Sequence, residues 1–408
     1  MSKAWRRSVA SLDRRTFLGA AALGLCGASS TAPPAVAGQG NEPRPCPPDA
    51  WKKGPVVLGQ EGGPGDRWVQ NFTCAAEPLE HDRWRLWYST TGPKAPFNVA
   101  VAEGVPGGPM ERRVAVLSAG EPQDAPLALG NLPDGWRPFQ PVHVALPEGR
   151  HRLYFWAHGP GVIRYLAAES DDGRRYRVHD PHRPCLYHPS DRAVAGEAAA
   201  EAGLARFAGK ESNRPQGEPP APARLISNDA TNVYRLPDGR YEMYSVGLID
   251  VPEGDPRYVA HDNAAGLVRV IDYRTSEDGL RWSGRKRVLV PDGDDPIDQQ
   301  FYYLAVTHTD RGRVGMLGHY RVKAQTVDLE WCFSKDGIAW ERPLRRPWVP
   351  RGKPGEPDSY GIYAPHSLVE HGGQWLFYTG LNSSHNGKDS HGEPGSVVRL
   401  ARCDSIWA

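Results

Sequence analysis

Three observations predict an all-β fold. One type of strand recurs five times, a Ser-x-Asp-Gly turn recurs three times, and the last repeat lacks an outer strand that the opposite end of the chain can supply. The recurring strand reads Arg85-Leu-Trp-Tyr-Ser89, Arg152-Leu-Tyr-Phe-Trp156, Tyr241-Glu-Met-Tyr-Ser245, Val314-Gly-Met-Leu-Gly318 and Trp375-Leu-Phe-Tyr-Thr379. Its aromatic and apolar content favours a half-buried strand. Successive copies lie roughly 60 to 90 residues apart, a period that suits propeller blades carrying long loops. The expectation is a five-bladed β-propeller of four-stranded antiparallel blades.

Residues 1–37 are expected to stand outside that fold. Arg14-Arg15-Thr16-Phe17-Leu18 precedes an apolar run over 19–25, and Ala35-Val36-Ala37 offers a small-residue cleavage site. That is the pattern of a twin-arginine export signal, placing the mature protein in the periplasm or outside the cell. Lipoprotein anchoring at Cys26 is disfavoured because Leu25 is too large for the lipobox position. No later apolar run is long enough to span a bilayer. Residues 38–54, rich in Pro and Gly, read as a tether, and 55–408 as the propeller.

The first strand-like segment beyond the tether is Pro55-Val-Val-Leu-Gly59. Blades one to four carry their own fourth strands, as Val114-Ala-Val-Leu117, Pro184-Cys-Leu-Tyr187, Arg287-Val-Leu-Val290 and Arg346-Pro-Trp-Val349. The fifth has none after Cys403, so residues 55–59 are expected to complete it and leave no open edge. Third strands are expected at 98–103, 163–170, 267–276, 327–334 and 397–403.

Three of those third strands run into the shared turn: Ser170-Asp-Asp172-Gly173, Ser276-Glu-Asp278-Gly279 and Ser334-Lys-Asp336-Gly337, each followed by Tyr176, Trp282 or Trp340. Its chemistry is structural: Asp caps turn amides, Gly takes the positive φ, and the aromatic covers the blade edge. The stretch at about 192–224, rich in Ala, Glu and Pro, reads as an insertion on one rim. Five cysteines follow the signal (46, 74, 185, 332 and 403), an odd number without CxxC spacing. That argues against a disulfide framework and a structural zinc site.

The near-neutral net charge of +1 gives no electrostatic case for nucleic acid or an anionic membrane. Walker, HExxH and GxSxG motifs are absent from the sequence. Function is instead sought at the propeller mouth, where the first strands of the blades begin. Those positions are Asp66, Trp68, Gln70 and Asn71; Trp136, Phe139, Gln140 and His143; Asn228, Asp229 and Asn232; Asp298, Gln299, Gln300 and Tyr302; Asp358, Tyr360, Tyr363 and His366. His385 adds a loop residue. Carboxylates, amides and aromatics in one bowl bind sugars by stacking and by hydrogen bonds to hydroxyls. Each also has a plain structural role open to it. The aspartates suit turns, Trp68 and Trp136 suit packing, and His385 sits in a polar loop.

The five repeats, the Asp at the head of the third and the Ser-x-Asp-Gly turns resemble the five-bladed glycoside hydrolases related to invertase, levansucrase and arabinanase (families 32, 68 and 43). The resemblance covers roughly residues 55 to 403. It implies a carbohydrate substrate, a blade-one Asp as nucleophile or base, a second Asp that orients the sugar, and a general acid. Asp66, Asp229 and Asp298 are the residues of this chain nearest those roles. It also implies that His366 holds a channel ion such as Ca2+ or Na+, with no other cofactor required. The chain departs from the pattern twice. The usual Arg-Asp-Pro is Asn228-Asp229-Ala230, and the place of the acid reads Asp298-Gln299-Gln300. An amide cannot protonate a leaving group, a contribution of about 100- to 10,000-fold. The leading expectation is an exported glycosidase. The alternatives are a sugar-binding propeller without catalysis and a structural or interaction propeller of the cell envelope.

Overall fold

The computed structural model describes residues 43–60, 68–70, 74–92, 95–117, 120, 127–188, 191, 193, 226–262, 264–387, 390 and 395–408. The export signal, Asp66, Asn71 and all of the expected insertion but Ala193 lie outside them. Apart from the short 3-10 turns Pro48–Ala50 and Pro147–Gly149, the regular structure among the described residues is β-strand. No helix there is long and apolar enough to cross a membrane.

Hydrogen bonding arranges the strands as antiparallel meanders in chain order. The first comprises Trp68–Val69, Trp84–Gly92, Ala95–Gly104 and Met110–Val114. The second runs Arg137–Ala145, His151–Gly159 and Val162–Ser170, with Arg175–Val178 and Leu186–Tyr187 sharing its outer edge. The third is Asn232–Arg235, Tyr241–Asp250, Leu267–Ser276 and Lys286–Leu289. The fourth is Gln299–Thr309, Gly312–Arg321, Thr326–Ser334 and Pro347–Val349. The fifth is Gly361–Tyr363, Gln374–Leu381 and Ser396–Cys403, completed by Lys52–Leu58. One parallel pair, Val327 with Gly361, joins the fourth and fifth into a nine-stranded sheet.

The completing strand pairs Lys53 with Ala401 and Leu58 with Val398. It starts three residues before the expected 55–59, and the expected tether is itself packed from Pro43 onward. Pro45 bridges Trp407, the Cys46 amide donates to the Ile406 carbonyl (2.8 Å), and Trp51 packs edge-on against Trp348. Two buried indoles outweigh the ordering of a Pro-rich segment that composition alone reads as loose. The first outer strand also shifts, to Met110–Val114. Val116–Leu117 leaves it and pairs in parallel with Ala128–Gly130 of the next sheet.

Five apolar clusters each join two meanders. Trp87 and Val101 of the first meet Leu153 and Phe155 of the second. Tyr154 and Trp156 meet Val233 and Met243, Tyr244 and Ile271 meet Leu304 and Leu317, and Met316 and Trp331 meet Ile362 and Leu376. Phe377, Val398 and Leu400 then return to Val69, Trp84 and Leu86 of the first. The meanders therefore close a cycle of contacts. Both faces of most strands are covered, which explains nearly unbroken buried runs such as Arg137–Ala145.

The Ser-x-Asp-Gly turns clasp neighbouring meanders. Asp278 accepts from the Leu280 and Arg281 amides (both 2.8 Å) and Ser276 Oγ from the Gly279 amide (2.8 Å). Gly279, at φ 74°, then presents its carbonyl to Tyr154 Oη of the preceding meander (3.0 Å). The Gly337 carbonyl meets Tyr244 Oη in the same way (3.2 Å). All five described cysteines are buried free thiols, with Cys332 in the core.

Candidate functional site

The strand Leu267–Ser276 carries a charge into the interior at Arg269, which is only 3% exposed. A cation desolvated to that degree persists only if it is paired. Arg269 Nε donates to Asp229 Oδ2 (3.2 Å), and Nη1 donates to Asp262 Oδ2 (3.2 Å) and Gln300 Oε1 (2.8 Å). The guanidinium lies 4.8 Å from the Tyr302 ring centre and 5.5 Å from that of Tyr320. Burial disfavours its charge, but Tyr302, Asp229 and Asp262 outweigh that and hold the group firmly protonated.

The two carboxylates differ. Asp262 is buried, and its other oxygen accepts from Tyr320 Oη (2.7 Å). Burial raises its pKa, but Arg269 and Tyr320 more than offset this and keep it below the usual carboxylate range. Asp229 stands at the turn leading into Asn232–Arg235, its side chain 15% exposed. Ser227 Oγ donates to the same Oδ2 that Arg269 holds (2.5 Å) and accepts from the Asp229 amide (3.2 Å). Among the described residues, Oδ1 has no hydrogen-bond partner. Asp229 is thus both a turn residue and the carboxylate of this group that reaches outward.

Aromatic hydroxyls and imidazoles surround it. His385 joins Tyr302 Oη to Nε2 (3.0 Å) and Tyr363 Oη to Nδ1 (2.8 Å), and burial together with Arg269 lowers its pKa to about 4. Asn228 Nδ2 lies 2.9 Å from His158 Nε2, and the Asn228 carbonyl accepts from Gln140 Nε2 (2.9 Å). Burial lowers His158 and His188 to about 4; the charge of Asp229 acts on His188 in the opposite sense. Near neutral pH these three imidazoles are uncharged.

Of the residues expected at the mouth, Asn228, Asp229, Gln300, Tyr302, Tyr363 and His385 come together here. Gln140, at φ 56° on a bulge, braces the group from behind, its amide held by Ser89 Oγ (2.6 Å). Asn232 is fully buried and donates to the Leu304 carbonyl (2.9 Å), tying the third meander to the fourth. Trp68 and Gln70 keep partial exposure at the first meander, whereas Trp136 is buried with Arg164 5.2 Å from its ring.

Asp298 and Asp358 have other partners. Asp298 accepts from Arg321 (2.7 Å) and the Lys323 amide (3.0 Å). Burial would raise its pKa, but these donors lower it, the wrong direction for a general acid. Asp358 is fully buried in the closing seam, where Lys53 (2.5 Å), Tyr378 Oη (2.7 Å) and Arg399 (2.9 Å) converge on it. His366 Nε2 lies 2.8 Å from the Val233 carbonyl, its ring stacks on Tyr234 (4.5 Å), and its amide donates to the Cys74 carbonyl (2.7 Å). That nitrogen is committed to a carbonyl as a hydrogen-bond donor rather than to an ion.

Arg269, Asp262, Tyr320, His158 and His188 escape a reading confined to first strands. One signal was available: a lone Arg inside Leu267-Val-Arg-Val-Ile271 is a charge on a buried strand and demands partners.

No protein-family model matches the chain. An A type blood N-acetyl-alpha-D-galactosamine deacetylase of Flavonifractor plautii is 27% identical over 158 residues, which is 35% of this chain and 20% of that protein. The match thus spans a fifth of the relative's length. Among solved structures, an N-acetylgalactosamine deacetylase from F. plautii in complex with blood group B trisaccharide aligns with a TM-score of 0.52 at 16% identity, over 86% of this chain and 95% of that one. A putative glycoside hydrolase from Bacteroides ovatus ATCC 8483 aligns at 0.50 and 13% identity, over 86% and 94%. The likeness to both structures is one of fold.

Proposed function

We propose that the protein is an exported, carbohydrate-processing hydrolase, and that its five meanders are the blades of a five-bladed β-propeller. The cycle of five inter-meander cores and the Lys52–Leu58 closing strand support that architecture. The observation that carries the functional reading is the outward Asp229 carboxylate, held through Oδ2 while Oδ1 stays uncommitted among the described residues. In this reading Oδ1 accepts a hydrogen bond from a sugar hydroxyl or amide, and Trp68 supplies an exposed stacking face at the first meander.

The reaction favoured is removal of an N-acetyl group from a sugar. The uncharged imidazole of His158 meets Asn228 beside Asp229, that of His188 feels the Asp229 charge, and the stretch of sequence similar to a deacetylase points the same way. One imidazole takes a proton from water as its oxygen adds to the acetamide carbonyl. The C–N bond then breaks, leaving acetate and a sugar amine that receives the proton. The second reading, glycosidic cleavage, rests on the fold shared with a putative glycoside hydrolase. It needs a second carboxylate. Asp262 is ionised against Arg269 and Asp298 is bound to Arg321, so Asp66 is its candidate. A carboxylate separation of about 5 Å gives retention and about 6.5–9.5 Å inversion.

Incubating the protein with N-acetylated oligosaccharides and aryl glycosides separates the readings. Acetate release that is lost in Asp229→Asn supports the first, and new reducing ends support the second. Sugar affinity without turnover in wild type leaves a binding protein, and no affinity for any glycan defeats the proposal.

A further inference from the structure

At the seam between the first and second meanders, away from Asp229, three side chains with metal-ligand chemistry converge. His143, on Arg137–Ala145, and His151, on the next strand, place Nε2 and Nδ1 2.9 Å apart. Glu77, on Ala75–Pro78 of the first meander, brings Oε2 to 4.0 Å from His143 Nδ1. One ligand atom from each of the three lies within 4.8 Å of the others. We propose that Glu77, His143 and His151 form a binding site for a divalent transition-metal ion such as Zn2+ or Co2+.

The surroundings are those of a prepared site. Backbone pairing fixes the imidazoles, since His143 faces Leu153 and His151 faces Ala145 across the same antiparallel pair. Trp87 stacks flat on His143 with ring centres 3.9 Å apart, which sets the plane of that ligand and walls off one side. Arg85 Nη1 binds Glu77 Oε1 (3.0 Å), so the carboxylate is held by one oxygen while the other lies on the Nδ1 side of His143, across that ring from the nitrogen paired with His151. Such outer partners orient metal ligands and are worth about 10- to 100-fold in affinity. Gly173 provides the clearance: a Cβ there would sit 2.9 Å from Arg85 Nη1 and 3.3 Å from the His151 ring. Glu77 is 23% exposed and His151 half-buried, so the ion has a route from solvent.

Two nitrogens 2.9 Å apart subtend nearly a right angle at an ion about 2.1 Å from each. That suits a site with room for water beside the three protein ligands. In the ion-free pair one ring donates its N–H to the other. With His151 as the donor, the ion takes the place of that proton, which moves to His151 Nε2 by a change of tautomer, with no net release. Two nitrogens and one carboxylate oxygen favour zinc, cobalt or nickel over calcium or magnesium. Because the ligands come from two meanders, a bound ion also ties the first to the second.

The alternative is a hydrogen-bonded chain from Glu77 to His151 that takes no ion. The test is calorimetric titration of the chelator-treated, full-length protein with Zn2+, repeated with Co2+ to record its visible absorption. Expected are one equivalent bound, a higher melting temperature with Zn2+, and at least about 100-fold weaker binding in His151→Ala. Glu77→Gln, which keeps shape and its contact with Arg85, should weaken binding about 10-fold or more. Far-UV circular dichroism establishes that both variants are folded. Equal stoichiometry and affinity in wild type and both variants, or no saturable binding by wild type, overturns the site.

Discussion

Asp358→Asn is the substitution that best separates structural from functional carboxylates. The side chain is fully buried and takes Lys53 Nζ at 2.5 Å, Tyr378 Oη at 2.7 Å and Arg399 Nη1 at 2.9 Å. These partners come from the closing strand, Gln374–Leu381 and Ser396–Cys403. Removing one member of a buried ion pair costs about 3–5 kcal/mol, because the other charge stays desolvated. Here the two cations are 18% and 16% exposed and recover part of their hydration, so about 2–3 kcal/mol is expected. For a chain of this size that corresponds to a melting point lower by about 3–4 °C. Scanning fluorimetry and urea midpoints measure it. Lys53→Met in the same background should add less than its own separate cost, since the two residues share one network. A shift below about 1 °C, or loss of glycan processing at unchanged stability, would refute the reasoning and return Asp358 to the binding site.

Acid stability offers a second measurement. His158, His188, His319, His366 and His385 are each depressed by burial to about 4. The unfolded chain binds their protons from about pH 6.5 downward while the folded one does not, so stability should be full above about 6.5 and fall steadily toward pH 4. A flat urea midpoint across that window would contradict it. Arg269→Lys puts one ammonium where three acceptors are spread across Nε and Nη1; activity should fall at least about 10-fold, with about 2–3 kcal/mol lost in denaturation. Gly279→Ala places a Cβ 2.5 Å from Tyr154 Oη at φ 74°, and should cost about 1–3 kcal/mol by urea titration while leaving sugar affinity intact.

The strands were legible because their signals are local. Alternating aromatics, the Asp-Gly turns and an unmatched last repeat are each visible within a short window, and Lys52–Leu58 does pair with Ser396–Cys403. The site was legible only in part, because its centre is assembled across elements. Arg269 comes from a third strand, Asp262 from a loop and Tyr320 from a second strand, a combination that no single window of sequence contains. Asp298 shows the limit most directly. It precedes Gln299 and Gln300 by one and two positions, yet Arg321 and the Lys323 amide claim it before the strand begins, and Gln300 reaches Arg269 instead. Composition misled at residues 43–54, where Trp51 and Cys46 are buried despite the prolines around them.

The pairing of Lys52–Leu58 with Ser396–Cys403 also sets an order of events during synthesis. Residues 52–58 cannot take up this pairing until residues 396–403, far later in the chain, have also left the ribosome. Until that pairing forms, the outer edge of Ser396–Cys403 is a bare flank ready to accept another extended peptide. A competing strand of similar pattern, supplied in trans while the chain is being translated, would therefore occupy that edge in place of Lys52–Leu58, whereas the same peptide added to the folded molecule would find it taken.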